Sequence, residues 1–323
     1  MTAPNLTVIL TNRDHGRFLP HSLSALLAQT RPADEIIAID DVSSDDSVAI
    51  MTRLLAGRPT ARIIRNETHL GVVRSLNRGL AMARGDVVFF MAADDLTYPA
   101  LFATGMTLLD AHPQAGLFSS RSHAIDEAGR SEGIIPTPIP LSRAGFIPPA
   151  TAARLLMREV SWFMGNTTLY RRAALAASGG FPEELGSFTD GYISQVLALT
   201  HGACFSPGVL GAWRRLEGGY SWSLSANAGE AERLVARTVA LMAAAGSPFP
   251  AGYAGRWRRR FVFGLRRFAL RQARRKAAGR GLMWRLAGAG AELATTAWLM
   301  LTLRFCDIVA VARRRLYYYF AER

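Results

Sequence analysis

Two pairs of adjacent aspartates have the residue type and the spacing that a functional site could use. Asp40-Asp41 ends the run EIIAIDD, and Asp94-Asp95 ends the run FFMAADD. Carboxylates that lie close together repel one another unless a cation or hydrogen-bond donors separate them. One solution is a divalent cation that bridges them to a diphosphate, because Mg²⁺ combines one or two carboxylates with phosphate oxygens. The alternative is that both pairs are ordinary loop acids that cap helices.

Short apolar runs and amphipathic stretches alternate through the first hundred residues, and these elements must position the aspartates. Strands are predicted at Leu6–Leu10, Glu35–Asp40, Ala61–Ile64 and Asp86–Met91, and helices at Phe18–Gln29, Asp45–Leu55 and Val72–Arg84. This alternation predicts a parallel sheet with helices on both faces. Ligands of such sheets bind at the carboxyl ends of the strands, where the polar segments Thr11–His15, Asp40–Asp46 and Asp94-Asp95 are expected.

The pattern becomes less regular beyond residue 130. Gly133–Pro149 carries five prolines and is predicted to be a loop. The other predicted elements are strands at Asn166–Tyr170 and Ala203–Phe205 and helices at Arg171–Ala177 and Thr189–Thr200. After about residue 225 the spacing is helical throughout. We therefore expect an α/β domain over residues 1–225 and a basic helical region over residues 226–323.

Basic residues are concentrated at one end of the chain. The 323 residues have a formal net charge of +13, yet residues 1–253 hold 21 arginines against 22 acidic residues. Residues 254–323 hold the other 17 of the 38 basic residues and 3 of the 25 acidic ones. A near-neutral body with a cationic appendage and no recognition module argues against nucleic-acid binding. The two cysteines, Cys204 and Cys306, are too few for a disulfide framework and suggest a reducing compartment.

The basic region has the pattern of an amphipathic helix. Trp257, Phe261, Leu265 and Phe268 recur at helical spacing, with arginines on either side. Such a helix favours an anionic membrane surface. The alternative is a helical subdomain that packs on the first domain or joins two copies in a homo-oligomer. Leu286–Leu303 is only a marginal candidate for a membrane span, and no signal peptide is expected at the start.

Five segments in a fixed order make the sequence resemble the family 2 glycosyltransferases, which are inverting enzymes of the GT-A fold. They are Leu6–Thr30, Glu35–Ser47, Asn66–Gly85, Phe89–Asp95 and Gly165–Asp190. The resemblance runs from about residue 6 to residue 225. It implies a GT-A (Rossmann-like) fold, with a mixed, mostly parallel sheet and a C-terminal helical extension. It also implies transfer of a sugar from a nucleotide-diphosphate sugar to a hydroxyl group.

The resemblance implies which residues bind the nucleotide sugar. Asp41 matches the acid that accepts a hydrogen bond from the base, which suits the N3–H of uracil or thymine and therefore a UDP- or dTDP-sugar. Thr11 and Asn12 are expected near the base and ribose. Arg13 stands where the family often has tyrosine, and it either stacks on the base or faces solvent. Asn77 is expected to frame the site, or else to lie on a helix face without contacting it.

The FFMAADD segment matches the metal-binding motif of the family. Asp94 corresponds to the metal-binding acid, which also contacts the donor, and Asp95 is expected to assist it in holding Mg²⁺ or Mn²⁺. The sequence departs from the motif at its first acid, where Ala92 stands.

Asp190 corresponds to the catalytic base of the family. An inverting transfer needs one carboxylate to take the proton from the attacking hydroxyl. The alternative is a helix-capping acid, and the family's preceding glutamate is Thr189 here. Arg214 and Arg215 match a late Trp-Arg segment that closes over the diphosphate, although a solvated surface loop is an equal interpretation.

These residues lead to two functional hypotheses. The first is an inverting, metal-dependent glycosyltransferase that acts on a glycan or lipid-linked acceptor in bacterial surface polysaccharide or glycolipid assembly. It would lie in the cytoplasm, peripherally on the inner face of the cell membrane. The second is a catalytically impaired GT-A-like protein that binds nucleotide sugar or serves as a membrane scaffold. The second hypothesis rests on the replacements Ala92 and Thr189.

Overall fold

The computed structural model describes residues 5–159, 161–216, 219–220 and 228–263. Its strands are β1 (Leu6–Asn12), β2 (Glu35–Asp40), β3 (Ala61–Arg65), β4 (Val87–Ala92), β5 (Leu96–Thr97), β6 (Leu117–Ile125), β7 (Ser131–Ile134), β8 (Gly145–Ile147), β9 (Leu169–Arg171) and β10 (Ala203–Arg214). Its helices are α1 (Leu19–Leu27), α2 (Ser47–Leu55), α3 (Val72–Met82), α4 (Leu101–Ala111), α5 (Pro149–Arg158), α6 (Arg172–Ala177), α7 (Thr189–His201) and α8 (Ala228–Ala243). Short 3-10 segments occupy Gly165–Thr167 and Glu183–Phe188.

The described strands form one mixed sheet in the order β3-β2-β1-β4-β9-β6-β10-β5. Strands β3, β2, β1 and β4 are parallel, and so are β6 and β10, whereas β9 lies antiparallel between β4 and β6. Strand β7 pairs with β6, and β8 pairs with β10. This architecture confirms the predicted fold class, and each strand and helix predicted in the first hundred residues is present within a few residues of its expected bounds.

The parallel strands β1, β2 and β4 are buried along nearly their whole length. Because both faces are covered, their sequences are near-continuous apolar runs instead of alternating ones. Their register brings Asn12 opposite Asp40, and Thr11 opposite Ala92. The carboxyl ends of the three strands therefore meet at one edge of the sheet, as the sequence predicts.

The later elements differ more from expectation. The strand predicted over Asn166–Tyr170 is divided into the Gly165–Thr167 turn and β9. Strand β10 is much longer than Ala203–Phe205, because it continues past two irregularities in its pairing with β6. The proline-rich segment Gly133–Pro149 contains the short strand β8, which a loop prediction did not include.

The chain divides into two compact units, Met1–Ala153 with Ser161–Leu216, and Arg154–Val160 with Glu217–Arg323. In the second unit, α8 and residues 253–263 are helical. The buried Arg260 donates to four carbonyl oxygens at the end of α5, those of Leu156, Met157, Arg158 and Glu159. Arginine at a helix C-terminus satisfies carbonyls that lack intrahelical partners. Residues beyond 263, including the candidate span Leu286–Leu303, lie outside the described residues. Within the described ranges, no helix combines the length and apolar character needed to cross a membrane.

Candidate active site

Asp41, immediately after β2, is buried and holds the loop that leads into α3. Its Oδ1 accepts from Asn66 Nδ2 at 2.7 Å and from the Leu70 N–H at 2.8 Å. Its Oδ2 accepts from the Gly71 N–H at 2.8 Å and lies 2.7 Å from Nδ1 of His69. Burial by itself would raise the pKa of Asp41, but these donors outweigh it and lower the pKa. Asp41 is therefore a carboxylate at neutral pH.

The other residues predicted around the nucleotide line the same edge. Asn12 is buried, and its Nδ2 donates to Asp40 and Ser43 while its Oδ1 has no protein partner. Thr11 precedes it at the end of β1, partly exposed. The exposed Arg13 contacts Nε2 of His69 through Nη1 at 2.5 Å. The structure thus brings Thr11, Asn12 and Arg13 to the strand end that Asp41 occupies.

Val42 follows Asp41 in a left-handed backbone conformation, with φ of +61°. This conformation is strained for a β-branched residue, whereas glycine adopts it without steric cost because it has no Cβ. The loop keeps its shape with valine because the hydrogen bonds of Asp40, Asp41 and Ser43 fix the residues on both sides.

Asp94 and Asp95 lie in the turn between β4 and β5, and they differ in environment. Burial raises the pKa of Asp94, while His15, whose Nδ1 is 3.9 Å from the carboxylate, opposes the rise. Burial, followed by repulsion from Asp94, raises the pKa of Asp95 well above its usual range. Asp95 Oδ1 accepts the backbone N–H of Arg214 at 2.9 Å. Ala92, at the end of β4, is exposed.

This donor set fits a divalent cation that takes most of its ligands from phosphate. In the described part of the chain, no three His, Cys, Asp or Glu side chains are grouped so that they could hold a metal ion by themselves. Asp94 offers a partly desolvated carboxylate whose charge His15 offsets only from 3.9 Å. Mg²⁺ sites that use one or two carboxylates with substrate phosphates need no more protein ligands than this.

The two arginines after Trp213 have different positions. Arg214 is buried, and its guanidinium donates to the backbone carbonyls of Asp94, Asp126 and Glu127 at 2.8–3.0 Å. These bonds hold the acid pair and the turn after β6, so the side chain is engaged with protein instead of facing open solvent. Arg215 is partly exposed and forms an ion pair with Glu132 on β7 at 2.9 Å.

Asp190 lies in the first turn of α7 against the Gly165–Thr167 turn. A Cβ added at Gly165 would overlap Asp190 Oδ2, so the glycine makes room for the carboxylate. Oδ1 accepts the N–H of Gly191 at 2.7 Å, and burial raises the pKa of the group despite this bond. Burial, and then the negative charge of Asp190, raise the pKa of Tyr170. A half-buried carboxylate with a raised pKa is suited to accept a proton.

The Gly165–Thr167 turn connects Asp190 with the acid pair. It packs against both β4 and β5, which flank Asp94 and Asp95. Asn166 in this turn donates through Nδ2 to Ser122 on β6 at 2.8 Å, and its buried Oδ1 has no protein partner. The expected base and the expected metal-binding acid therefore lie on elements that contact the same turn.

Both polar atoms of the Asn77 side chain are hydrogen-bonded to the backbone of Phe181. Its Nδ2 donates to the carbonyl of Phe181 at 2.8 Å, and its Oδ1 accepts the N–H of Phe181 at 2.9 Å. Gly180, with φ of +75°, leaves space for this amide. Asn77 thereby fastens α3 to the segment after α6. His69 lies against Asp41, a placement that sequence reasoning did not predict, because an isolated histidine in a polar loop gives no spacing signal.

A GT-A glycosyltransferase fold is the class that this sheet and its acidic strand ends define. The structure resembles S. aureus TarS (residues 1–349) in complex with UDP-GlcNAc, with a TM-score of 0.61 at 18% identity over 98% of this chain and 90% of that chain. It also resembles the mannosyltransferase PcManGT of Pyrobaculum calidifontis in complex with GDP-Man and Mn²⁺, with a TM-score of 0.60 at 20% identity over 97% and 88%. At these identities the likeness shows the fold.

Membership of a family is shown by the match between this sequence and a family model. The family model "Glycosyl transferase family 2" matches residues 7–179, more than half of the chain, so this protein belongs to glycosyl transferase family 2. An uncharacterized protein of Mycobacterium tuberculosis is 28% identical over 210 residues, covering 63% of this chain and 65% of the relative. The amylovoran biosynthesis glycosyltransferase AmsE of Erwinia amylovora is 28% identical over 126 residues, covering 39% and 47%.

A third relative is named for a different biosynthesis. The PGL/p-HBAD biosynthesis glycosyltransferase of Mycobacterium bovis is 30% identical over 100 residues, covering 31% of this chain and 39% of the relative. The chain thus spans less than two thirds of the length of each of these three relatives.

Proposed function

We propose that this protein is an inverting glycosyltransferase that moves a sugar from a nucleotide-diphosphate sugar to a hydroxyl acceptor. Asp190 acts as the base, Asp94 holds a divalent cation with the diphosphate, and Asp41 binds the nucleobase. One observation carries the proposal: the turn that cradles Asp190 at Gly165 also packs on the strands flanking Asp94. An in-line displacement needs one carboxylate near the acceptor and one near the diphosphate, and here both belong to elements that contact one turn.

The reaction balances with a single protein base. The acceptor oxygen bonds to the anomeric carbon of the sugar while the bond from that carbon to the diphosphate oxygen breaks. The acceptor proton passes to Asp190, whose raised pKa strengthens it as a base, and the nucleoside diphosphate leaves with the bonding electrons. Displacement from the side opposite the leaving group inverts the configuration at the anomeric carbon.

A bound Mg²⁺ or Mn²⁺ would supply charge neutralisation for the departing diphosphate. Asp94 is the residue that would hold it. Asp95 is buried and accepts the Arg214 N–H, so we assign it the orientation of the turn and a contribution of negative charge. We assign Arg214 a positioning role for the same turn. Arg215, whose side chain is partly exposed, is the arginine of this pair that we propose contacts the diphosphate.

The nucleotide is proposed to carry uracil or thymine. The TarS structure is a complex with UDP-GlcNAc and the PcManGT structure is a complex with GDP-Man, so structural likeness alone leaves the base open. Asp41 is an ionised acceptor at the strand end, flanked by Thr11, Asn12 and Arg13. A carboxylate acceptor suits the single ring N–H of uracil or thymine.

The relatives' names and the charge pattern support a proposal for the acceptor and for the cellular setting. Relatives are named for amylovoran and PGL/p-HBAD biosynthesis, which supports a glycan or lipid-linked acceptor.

The cationic region 254–323 supports attachment to an anionic membrane surface on the cytoplasmic face, with catalysis in residues 1–225. Sedimentation of the full chain with phosphatidylglycerol vesicles, but not with phosphatidylcholine vesicles, is the expected result. Equal recovery in both supernatants would reject the membrane assignment.

The Asp190→Asn variant tests the catalytic proposal. It keeps the size and the Oδ1 acceptor for Gly191 but cannot take a proton, so transfer should fall by about 10²-fold or more. Binding of UDP with Mn²⁺ should stay unchanged. Asp110→Asn, at an exposed acid on α4, is the matched control and should behave as wild type. Nucleotide binding without turnover in the wild type, across a panel of donors and acceptors, would instead support a catalytically impaired binding protein.

A further inference from the structure

We propose that His69 occupies the place of the nucleobase on Asp41 and leaves when the donor binds, which makes it a specificity-determining residue. The inference rests on the proposed use of a nucleotide-sugar donor. It begins from the number of acceptor positions on Asp41. A carboxylate offers about four lone-pair positions. Asn66 Nδ2, two backbone N–H groups and His69 fill all four in this structure.

Three of the four donors cannot leave without dismantling the loop. The N–H groups of Leu70 and Gly71 belong to the backbone that enters α3. Asn66 is buried, donates also to Ser75 Oγ and accepts from Arg78. His69 is different, because its side chain is 51% exposed while that of Asp41 is 7% exposed. His69 is therefore the one exchangeable partner among the four.

The protonation of His69 follows from its two neighbours. Arg13 can only donate, so Nε2 must be the acceptor of their 2.5 Å contact. Asp41 is ionised and can only accept, so Nδ1 carries the proton of the 2.7 Å contact. His69 thus presents a donor toward Asp41 and, one carbon atom further round its ring, an acceptor toward Arg13.

Uracil and thymine present the same pattern. Their N3–H is a donor, and the neighbouring carbonyl oxygen is an acceptor, so the base edge can replace His69 between Asp41 and Arg13. Cytosine fails because its N3 is an acceptor that would face a carboxylate. Guanine adds a second donor beside its ring N–H, and the remaining positions on Asp41 are already filled by Asn66, Leu70 and Gly71. The site therefore selects a base whose ring N–H lies beside a carbonyl and has no exocyclic amino donor next to it.

The test measures binding of UDP, N3-methyl-UDP, CDP and GDP to the full chain by calorimetry in the presence of Mn²⁺. Wild type should bind UDP and bind the other three at least about 10-fold more weakly. His69→Ala should bind UDP about 3- to 10-fold more tightly, because the base no longer displaces an internal partner, with no gain for N3-methyl-UDP. His69→Asn places an amide N–H near the position of Nδ1 and should restore the wild-type affinity.

Different results separate this inference from the proposed function. If the wild type binds UDP but His69→Ala binds it equally or more weakly, His69 is a direct ligand or a bystander and the exchange is rejected. An equal gain for UDP and N3-methyl-UDP also rejects it, since loosening of the loop would then explain both. If no nucleoside diphosphate binds to the wild type or the variants, the proposed donor fails as well. His21→Ala, at an exposed histidine on α1, controls for loss of an imidazole elsewhere.

Discussion

The backbone N–H of Arg214 donates to Oδ1 of Asp95 at 2.9 Å, joining the end of β10 to the turn after β4. The Arg214 side chain continues this connection, because Nε donates to the Asp94 carbonyl and Nη1 donates to the carbonyls of Asp126 and Glu127. Its guanidinium also lies 4.9 Å over the ring of Phe18, at the start of α1. One buried cation thus fixes three segments around the acid pair.

Replacement of Arg214 should therefore affect folding before it affects nucleotide affinity. Arg214→Ala leaves three carbonyls without their donor and removes a buried cation near two carboxylates, which should cost about 2–4 kcal/mol. Urea unfolding of the full chain measures the loss. Arg215→Ala is the control, because its partly exposed ion pair with Glu132 should contribute at most about 1 kcal/mol. Equal stability of the two variants would contradict the positioning role.

The acidic strand ends could be predicted from sequence because parallel strands bring their carboxyl ends together. Asp41 and Asp94 follow apolar runs, and the register of β1 with β2 and β4 puts both at one edge. The hydrogen-bond partners of the individual side chains could not be predicted in the same way. Asn77 bonds to the backbone of Phe181, 104 positions away, and Arg214 bonds to Asp94, 120 positions away. Pairings this distant leave no local pattern, so the sequence indicated neither of these two contacts.

Val42 provides a test of strain next to the proposed nucleobase site. A non-glycine residue in the left-handed region costs about 1–2 kcal/mol, and glycine costs about 0.5–1 kcal/mol in unfolded-state entropy. Val42→Gly should therefore stabilise the protein by roughly 0.5–1 kcal/mol. Val42→Ala keeps a Cβ at φ of +61° and should gain less. The measurement is the urea midpoint of both variants, and a lower midpoint for Val42→Gly would show that valine side-chain packing outweighs the strain.

Ala92 provides a test of the metal assignment. It is exposed at the end of β4 and two positions before Asp94, so an added carboxylate would face the same edge as Thr11. Ala92→Asp should tighten Mn²⁺ binding in the presence of UDP by about 10-fold, since hard divalent cations take additional carboxylate oxygens. Ala92→Asn has the same size without the charge and should gain little. Unchanged Mn²⁺ affinity in both variants would argue that Asp94 does not hold the cation.

The last prediction concerns the charge buried at Asp95. Its pKa in the folded protein lies well above the ordinary value of 3.8, chiefly because of burial and then because of Asp94. The folded state therefore holds a proton that the unfolded chain has already released, so the free energy of unfolding falls as pH rises from about 4 through the raised pKa. Asp95→Asn removes this dependence, and its Oδ1 can still accept the Arg214 N–H.

Asp95→Asn should match the wild type near pH 3.5 and become progressively more stable than the wild type as the pH rises toward 8. The measurement is urea unfolding of both proteins across this pH range, with Asp110→Asn as the exposed-acid control. A difference that stays constant with pH would mean that Asp95 carries no buried charge. At pH 8, Mn²⁺ with UDP should raise the stability of the wild type more than that of Asp95→Asn, because the cation offsets the charge that burial leaves uncompensated. The acid that strengthens cation binding is thus expected to weaken the fold when the cation is absent.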